Sequence, residues 1–87
     1  MNGLNVARAL PVAQLSDPAE RLAAIFDAHY DRLYRLARRL TANTDDALDL
    51  VQETFLKAAN SPKSIPSGST DEEAWLVRVL INTRRDQ

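Results

Sequence analysis

The stretch DALDLVQETFLKAAN, residues 46–60, decides how the rest of the chain is read. An α-helix turns about 100° per residue, which puts Asp49, Gln52, Glu53, Leu56 and Asn60 within one arc and turns Ala47, Val51, Phe55 and Ala58 the other way. One side of this helix is apolar enough to bury. The other carries acids and amides around a leucine, where a face built only for solvation would mix Lys with Glu. That composition suits a docking surface. A single exposed leucine is also ordinary on a soluble domain, so from this helix alone both readings stand.

The residues on either side continue in helical period. Upstream, TANT (41–44) breaks the pattern and ends in Thr44, an expected N-cap, with Asp45 and Asp46 complementing the positive end of the helix dipole. Before it, Asp17 is the expected cap of a long helix, with Pro18 at its first position and Glu20 at its third. Leu22, Ile25, Phe26, His29, Leu33, Leu36, Ala37 and Leu40 recur at three and four and form its core stripe. A short helix over residues 4–10, ended near Pro11, is expected in the N-terminal segment 1–17.

Downstream, NSPKSIPSGST (60–70) holds two prolines, a glycine and five hydroxyl residues, and reads as a mobile loop. Thr70 with Glu73 has the spacing of a capping box, which starts the last helix near Asp71. That helix is expected to bury Leu76, Val79, Leu80 and Thr83 and to leave Arg78, Asn82 and Arg85 exposed. Asn beside Arg on such a strip is able to grip phosphates and read base edges, although most strips of this kind are only solvated. The fold class expected is therefore all-α: a small bundle of three main helices plus a short N-terminal one, with the domain over 18–87.

Composition narrows the function classes. With 87 residues there is room for one small core. The chain has no cysteine, which removes disulfides and thiolate metal sites and points to a reducing, cytoplasmic setting. No apolar run approaches the ~20 residues that cross a bilayer. Eleven basic against twelve acidic residues, a net charge of −1, give no overall attraction to a polyanion. The distribution is polarised: Arg32, Arg35, Arg38 and Arg39 crowd the long helix, and Arg78, Arg84 and Arg85 the last one. The arginines of the long helix read as a solvated face, with Asp31 and Arg35 in the favourable i,i+4 order. His29, the single histidine, lies on the core stripe with no second histidine or cysteine to join it, and reads as a core-edge residue. No paired carboxylates, phosphate loop or metal spacing suggest an enzyme, and no cofactor or metal is expected.

The order HYDRLYRLARRL, DDALDLVQETFLKA, a variable loop and AWLVRVLINTRRD resembles region 2 of the extracytoplasmic-function (ECF) sigma factors of bacterial RNA polymerase. The resemblance covers residues 18–87 and is most specific over Asp49–Phe55 and Ala74–Asn82. It implies that Asp49, Gln52 and Glu53 pair with the clamp helices of the polymerase β′ subunit, with Leu56 as the apolar contact. It also implies that the last helix and the loop before it recognise and help to melt the promoter minus ten element on the non-template strand. Asn82 falls at the motif asparagine, Arg78, Arg84 and Arg85 are the candidate phosphate contacts, and Ser67, Gly68, Ser69 and Thr70 the candidate loop contacts. An anti-sigma factor is a further expected partner.

The chain departs from the family pattern at Leu48, Val77 and Ile81, where an acid, an aromatic and an arginine are usual, and its loop holds no aromatic residue. The resemblance further implies a linker and a second helix-turn-helix domain, so an excised domain or a fragment of a longer protein is expected. Two other readings remain: a sigma-like decoy that occupies an anti-sigma factor, and a plain helical interaction module.

Overall fold

The computed structural model describes residues 17–87, and three α-helices carry these described residues; the helix expected over 4–10 lies outside them. Helix α1 spans Pro18–Leu40, α2 Thr44–Asn60 and α3 Ser69–Asp86, with a single 3₁₀ turn at Pro62–Ser64 between the last two. Each helix packs against the other two.

α1 begins as its sequence dictates. The Asp17 side chain accepts from the Ala19 N–H at 2.9 Å, and Pro18 stands where its missing N–H leaves nothing unpaired. The apolar stripe then supplies Ile25, Leu33 and Ala37 to the core. The helix closes where Thr41 Oγ1 donates to the Ala37 carbonyl at 2.7 Å. α2 starts one residue earlier than Thr44 capping would allow: Asn43 is the cap, accepting from the Asp46 N–H at 2.9 Å while its amide donates to the Asp46 carboxylate at 3.3 Å. The amide reaches both groups of the third helical residue at once, which Thr44 inside the helix does not.

The core is the inner arc of α2, Ala47, Leu50, Val51, Phe55 and Ala58, enclosed by the α1 residues and by Leu76 and Leu80 of α3. Thr54 and Thr83 are buried with it, Thr54 Oγ1 donating to the Leu50 carbonyl at 2.8 Å and Thr83 Oγ1 accepting from Lys57 Nζ at 3.0 Å. Val79, expected in the core, is only half-buried, and Phe26 is 39% exposed although it lies on the α1 stripe. Both stand at the edge of their arcs, where the neighbouring helix no longer covers them.

Residues 61–68 are not the mobile loop that composition suggests. Ile65 is buried in the core, and the Arg21 guanidinium donates to the carbonyls of Ile65 and Pro66 at 3.0 and 3.1 Å and to that of Pro62 at 3.4 Å. One arginine of α1 thus satisfies three carbonyls of a segment that has little secondary structure of its own. The Thr70–Glu73 capping box does not form. Gly68, with φ +97°, adopts a backbone that L side chains avoid and starts α3 at Ser69, with its carbonyl accepting from the Glu72 N–H at 2.8 Å. Glu73 is drawn instead to α1, where it accepts from Arg32 Nη1 at 3.1 Å. Arg35 makes no pair with the Asp31 carboxylate; its Nε donates to the Asp31 carbonyl at 3.3 Å.

His29 is buried, as its place on the stripe requires, but it is not alone. Its Nε2 donates to Glu72 Oε1 at 3.2 Å, and its Nδ1 lies 3.5 Å from Glu73 Oε1. Glu72 is itself 2% exposed, so α3 presents a carboxylate to the only polar group of the α1 core stripe.

Candidate functional site

Burial of one arc of α2 leaves its other arc to solvent. Asp49, Gln52, Glu53 and Leu56 are all exposed, Leu56 to 59%, because every apolar residue that faces α1 or α3 stands on the opposite side. Lys57 stands beside Glu53: its Nζ sits 3.9 Å from Glu53 Oε2 while it donates to Thr83. At that distance and exposure the pair contributes little, so the Glu53 carboxylate stays available to a partner.

The patch is wider than α2. Leu48 is 41% exposed and lies with Phe26, Tyr30, Asp49, Val51 and Gln52 around an open recess of about 460 Å³ between α1 and α2. The Phe26 ring rests on Phe55 at a centroid distance of 4.5 Å and on Tyr30 at 5.1 Å, which holds it half out of the core. An acidic and amide-bearing rim thus borders an apolar floor, an arrangement common in protein interfaces. Phe26 and Leu48 were missed in the sequence because the period assigns the first to the core and the wheel gives the second no partner.

α3 has two sides. Glu73, Val77 and Arg84 face α1, whereas Trp75, Val79 and Asn82 face α2 and the 3₁₀ turn, with Arg78 and Arg85 exposed on the ridge between. Asn82 lines an open recess of about 350 Å³ together with Lys57, Ser61, Ser64, Trp75 and Val79. Trp75 of α3 is thus an aromatic group beside a loop that has none.

Ser67, Gly68, Ser69 and Thr70 are exposed at the other end of α3, about 18 Å from Asn82 at 1.5 Å per residue between Thr70 and Asn82. The structure does not bring these four into the Asn82 recess; Ser61 and Ser64 occupy that place. Nor does Arg84 join Arg78 and Arg85. Its Nε donates to the Leu40 carbonyl at 2.9 Å, closing the end of α1, and its guanidinium borders a recess shared with Asp46 and Asp49. Among the described residues there is no cluster of His, Cys, Asp and Glu able to hold a metal ion, and no helix is long and apolar enough to cross a membrane.

Comparison with known proteins agrees with the order of these elements. The family model for sigma-70 region 2 matches residues 25–87. The ECF RNA polymerase sigma factor SigE of Mycolicibacterium smegmatis is 46% identical over 54 residues, 62% of this chain and 20% of that protein. SigL of Mycobacterium tuberculosis, also an ECF RNA polymerase sigma factor, is 38% identical over 69 residues, 79% of this chain and 39% of that protein. The RNA polymerase sigma factor SigV of Bacillus subtilis is 38% identical over 58 residues, 67% of this chain and 34% of that protein. The matched stretches thus span a fifth to two fifths of these relatives. No solved structure matches the chain significantly.

Proposed function

This chain belongs to the sigma-70 region 2 family, as a domain of the ECF type, and on that premise we propose that it binds RNA polymerase core through α2 and the promoter through α3. The observation that carries the reading is the exposed set Asp49, Gln52, Glu53 and Leu56 on a helix whose other side is wholly buried. The carboxylates and the amide pair with basic and polar groups of the β′ clamp helices, and Leu56 supplies the apolar contact. The recess at Phe26 and Leu48 extends that contact onto α1.

The DNA role falls to α3 and the neighbouring 3₁₀ turn, in a recess that meets the α2 patch at Lys57. Capture of melted promoter needs a place for an unstacked base and cations for the backbone. Trp75 offers a stacking surface, Asn82 a donor and acceptor for a base edge, and Ser61, Ser64 and Lys57 further polar contacts in one recess. Arg78 and Arg85 on the neighbouring ridge hold phosphates of the non-template strand at the minus ten element. Unstacking costs a few kcal/mol, so DNA that is already melting binds best. Such a protein works in the cytoplasm, and an anti-sigma factor would act by covering the α2 patch.

Core polymerase should co-purify with the folded chain and be lost on Asp49→Lys/Glu53→Lys. A folded wild type that captures an anti-sigma factor but no polymerase would favour the decoy role instead.

A further inference from the structure

The long helix carries arginines that the two faces above do not use. Arg32, Arg35 and Arg39 follow one another at i, i+3 and i+7, which places them on one line along α1, about 4.5 and 6 Å apart along the axis. With Leu36, Glu73 and Val77 they border an open recess of about 380 Å³ between α1 and α3. The single acid there, Glu73, is taken by Arg32 at 3.1 Å and turned toward His29. Among the described residues neither Arg35 nor Arg39 has a carboxylate within ion-pair reach. Asp31, one turn before Arg35, does not supply one: Arg35 Nε donates to its backbone carbonyl at 3.3 Å and not to its carboxylate.

We propose that Arg32, Arg35 and Arg39 form a phosphate track for single-stranded nucleic acid, continuing the path of the strand from the α3 ridge onto α1. The inference rests on the reading that α3 bears the DNA and adds a second site to it. Continuity favours a nucleic acid: the Arg78 and Arg85 ridge lies between the Asn82 recess and the α1 track, so the three features cross α3 in order. Planar guanidinium groups suit phosphate oxygens. Leu36 and Val77 between them give a sugar or base an apolar bed, and among the described residues this open recess offers an acidic peptide no deep apolar anchor.

The test is fluorescence anisotropy of labelled oligothymidylates of 6 and 16 nucleotides with the 87-residue chain across a salt series. Arg35→Ala/Arg39→Ala should bind the longer oligonucleotide several-fold more weakly, with the slope of log K against log salt reduced by about 1.4, and should bind the shorter one as the wild type does. Arg35→Lys/Arg39→Lys should keep most of the slope, which a loss through unfolding would not. If Arg78→Ala/Arg85→Ala loses binding while Arg35→Ala/Arg39→Ala leaves both oligonucleotides unaffected, the track is overturned and the α3 reading survives. Absence of any binding by the wild type overturns both. Binding of oligoglutamate through Arg35 and Arg39 with oligothymidylate unaffected also overturns the track, in favour of an acidic protein partner.

Discussion

His29 and Glu72 meet across 3.2 Å with both side chains 3% exposed, and join α1 to α3 beside the more exposed Arg32–Glu73 pair. Removing one member leaves a buried polar group without its partner, which costs more than the pair itself contributes. Glu72→Ala should therefore lower stability by about 3–5 kcal/mol, read as the shift in a urea midpoint. The volume-matched double change His29→Leu/Glu72→Leu should recover much of that loss. Equal destabilisation by the single and double variants would show that the contact is not a coupled pair.

Arg21 is the sole side chain that binds the carbonyls of Pro62, Ile65 and Pro66 in the described residues. Arg21→Ala should speed amide exchange across residues 61–68 with a global loss of about 1.5–3 kcal/mol, the range for hydrogen bonds to a charged group. Since Ser61 and Ser64 border the Asn82 recess, the same variant should weaken oligonucleotide binding without touching the α2 face. Unchanged exchange in that segment would contradict the role given to Arg21.

Gly68 enters α3 at φ +97° with nothing within 4 Å of a built Cβ. Any effect of Gly68→Ala is thus a matter of backbone alone. A loss of about 1–3 kcal/mol is expected, measured by thermal unfolding, and no loss would show that the helix start readily shifts to another backbone.

Asn82 and Trp75 share a recess on the side of α3 away from Arg84. Asn82→Ala and Trp75→Ala should each reduce binding of single-stranded minus ten oligonucleotides, by about 1–3 kcal/mol per stacked base in the case of Trp75, and leave polymerase binding intact. Electrophoretic mobility shift with the oligonucleotide and co-purification with core polymerase separate the two activities, and parallel loss of both would contradict the division of faces.

The helices were legible because their signals are local. Asp17 and Pro18 start α1 where they should, and the three- and four-residue spacing of Ile25, Leu33 and Ala37 survives in the core. The exposed arc of α2 was legible for the same reason. What the sequence hid depends on distant partners. Glu72 reads as a dipole-complementing acid of a first helical turn until α1 brings His29 against it. The fixing of residues 61–66 depends on Arg21, 41 to 45 positions away. Gly68 displaced the expected capping box because its backbone, not its neighbours' side chains, sets the start of α3. The Asn82 recess is made of residues from two helices and the 3₁₀ turn, which no linear window brings together.

The exposed arc of α2 is proposed as the polymerase-binding surface. Calorimetric titration of the chain with an isolated β′ clamp-helix fragment tests it, comparing wild type with Asp49→Lys/Glu53→Lys and checking both by circular dichroism. Saturable binding by the wild type, abolished in a double variant that keeps its helical spectrum, is expected because both residues are exposed and support no buried contact. A folded wild type that does not bind, or a folded variant that binds as the wild type does, would contradict the claim.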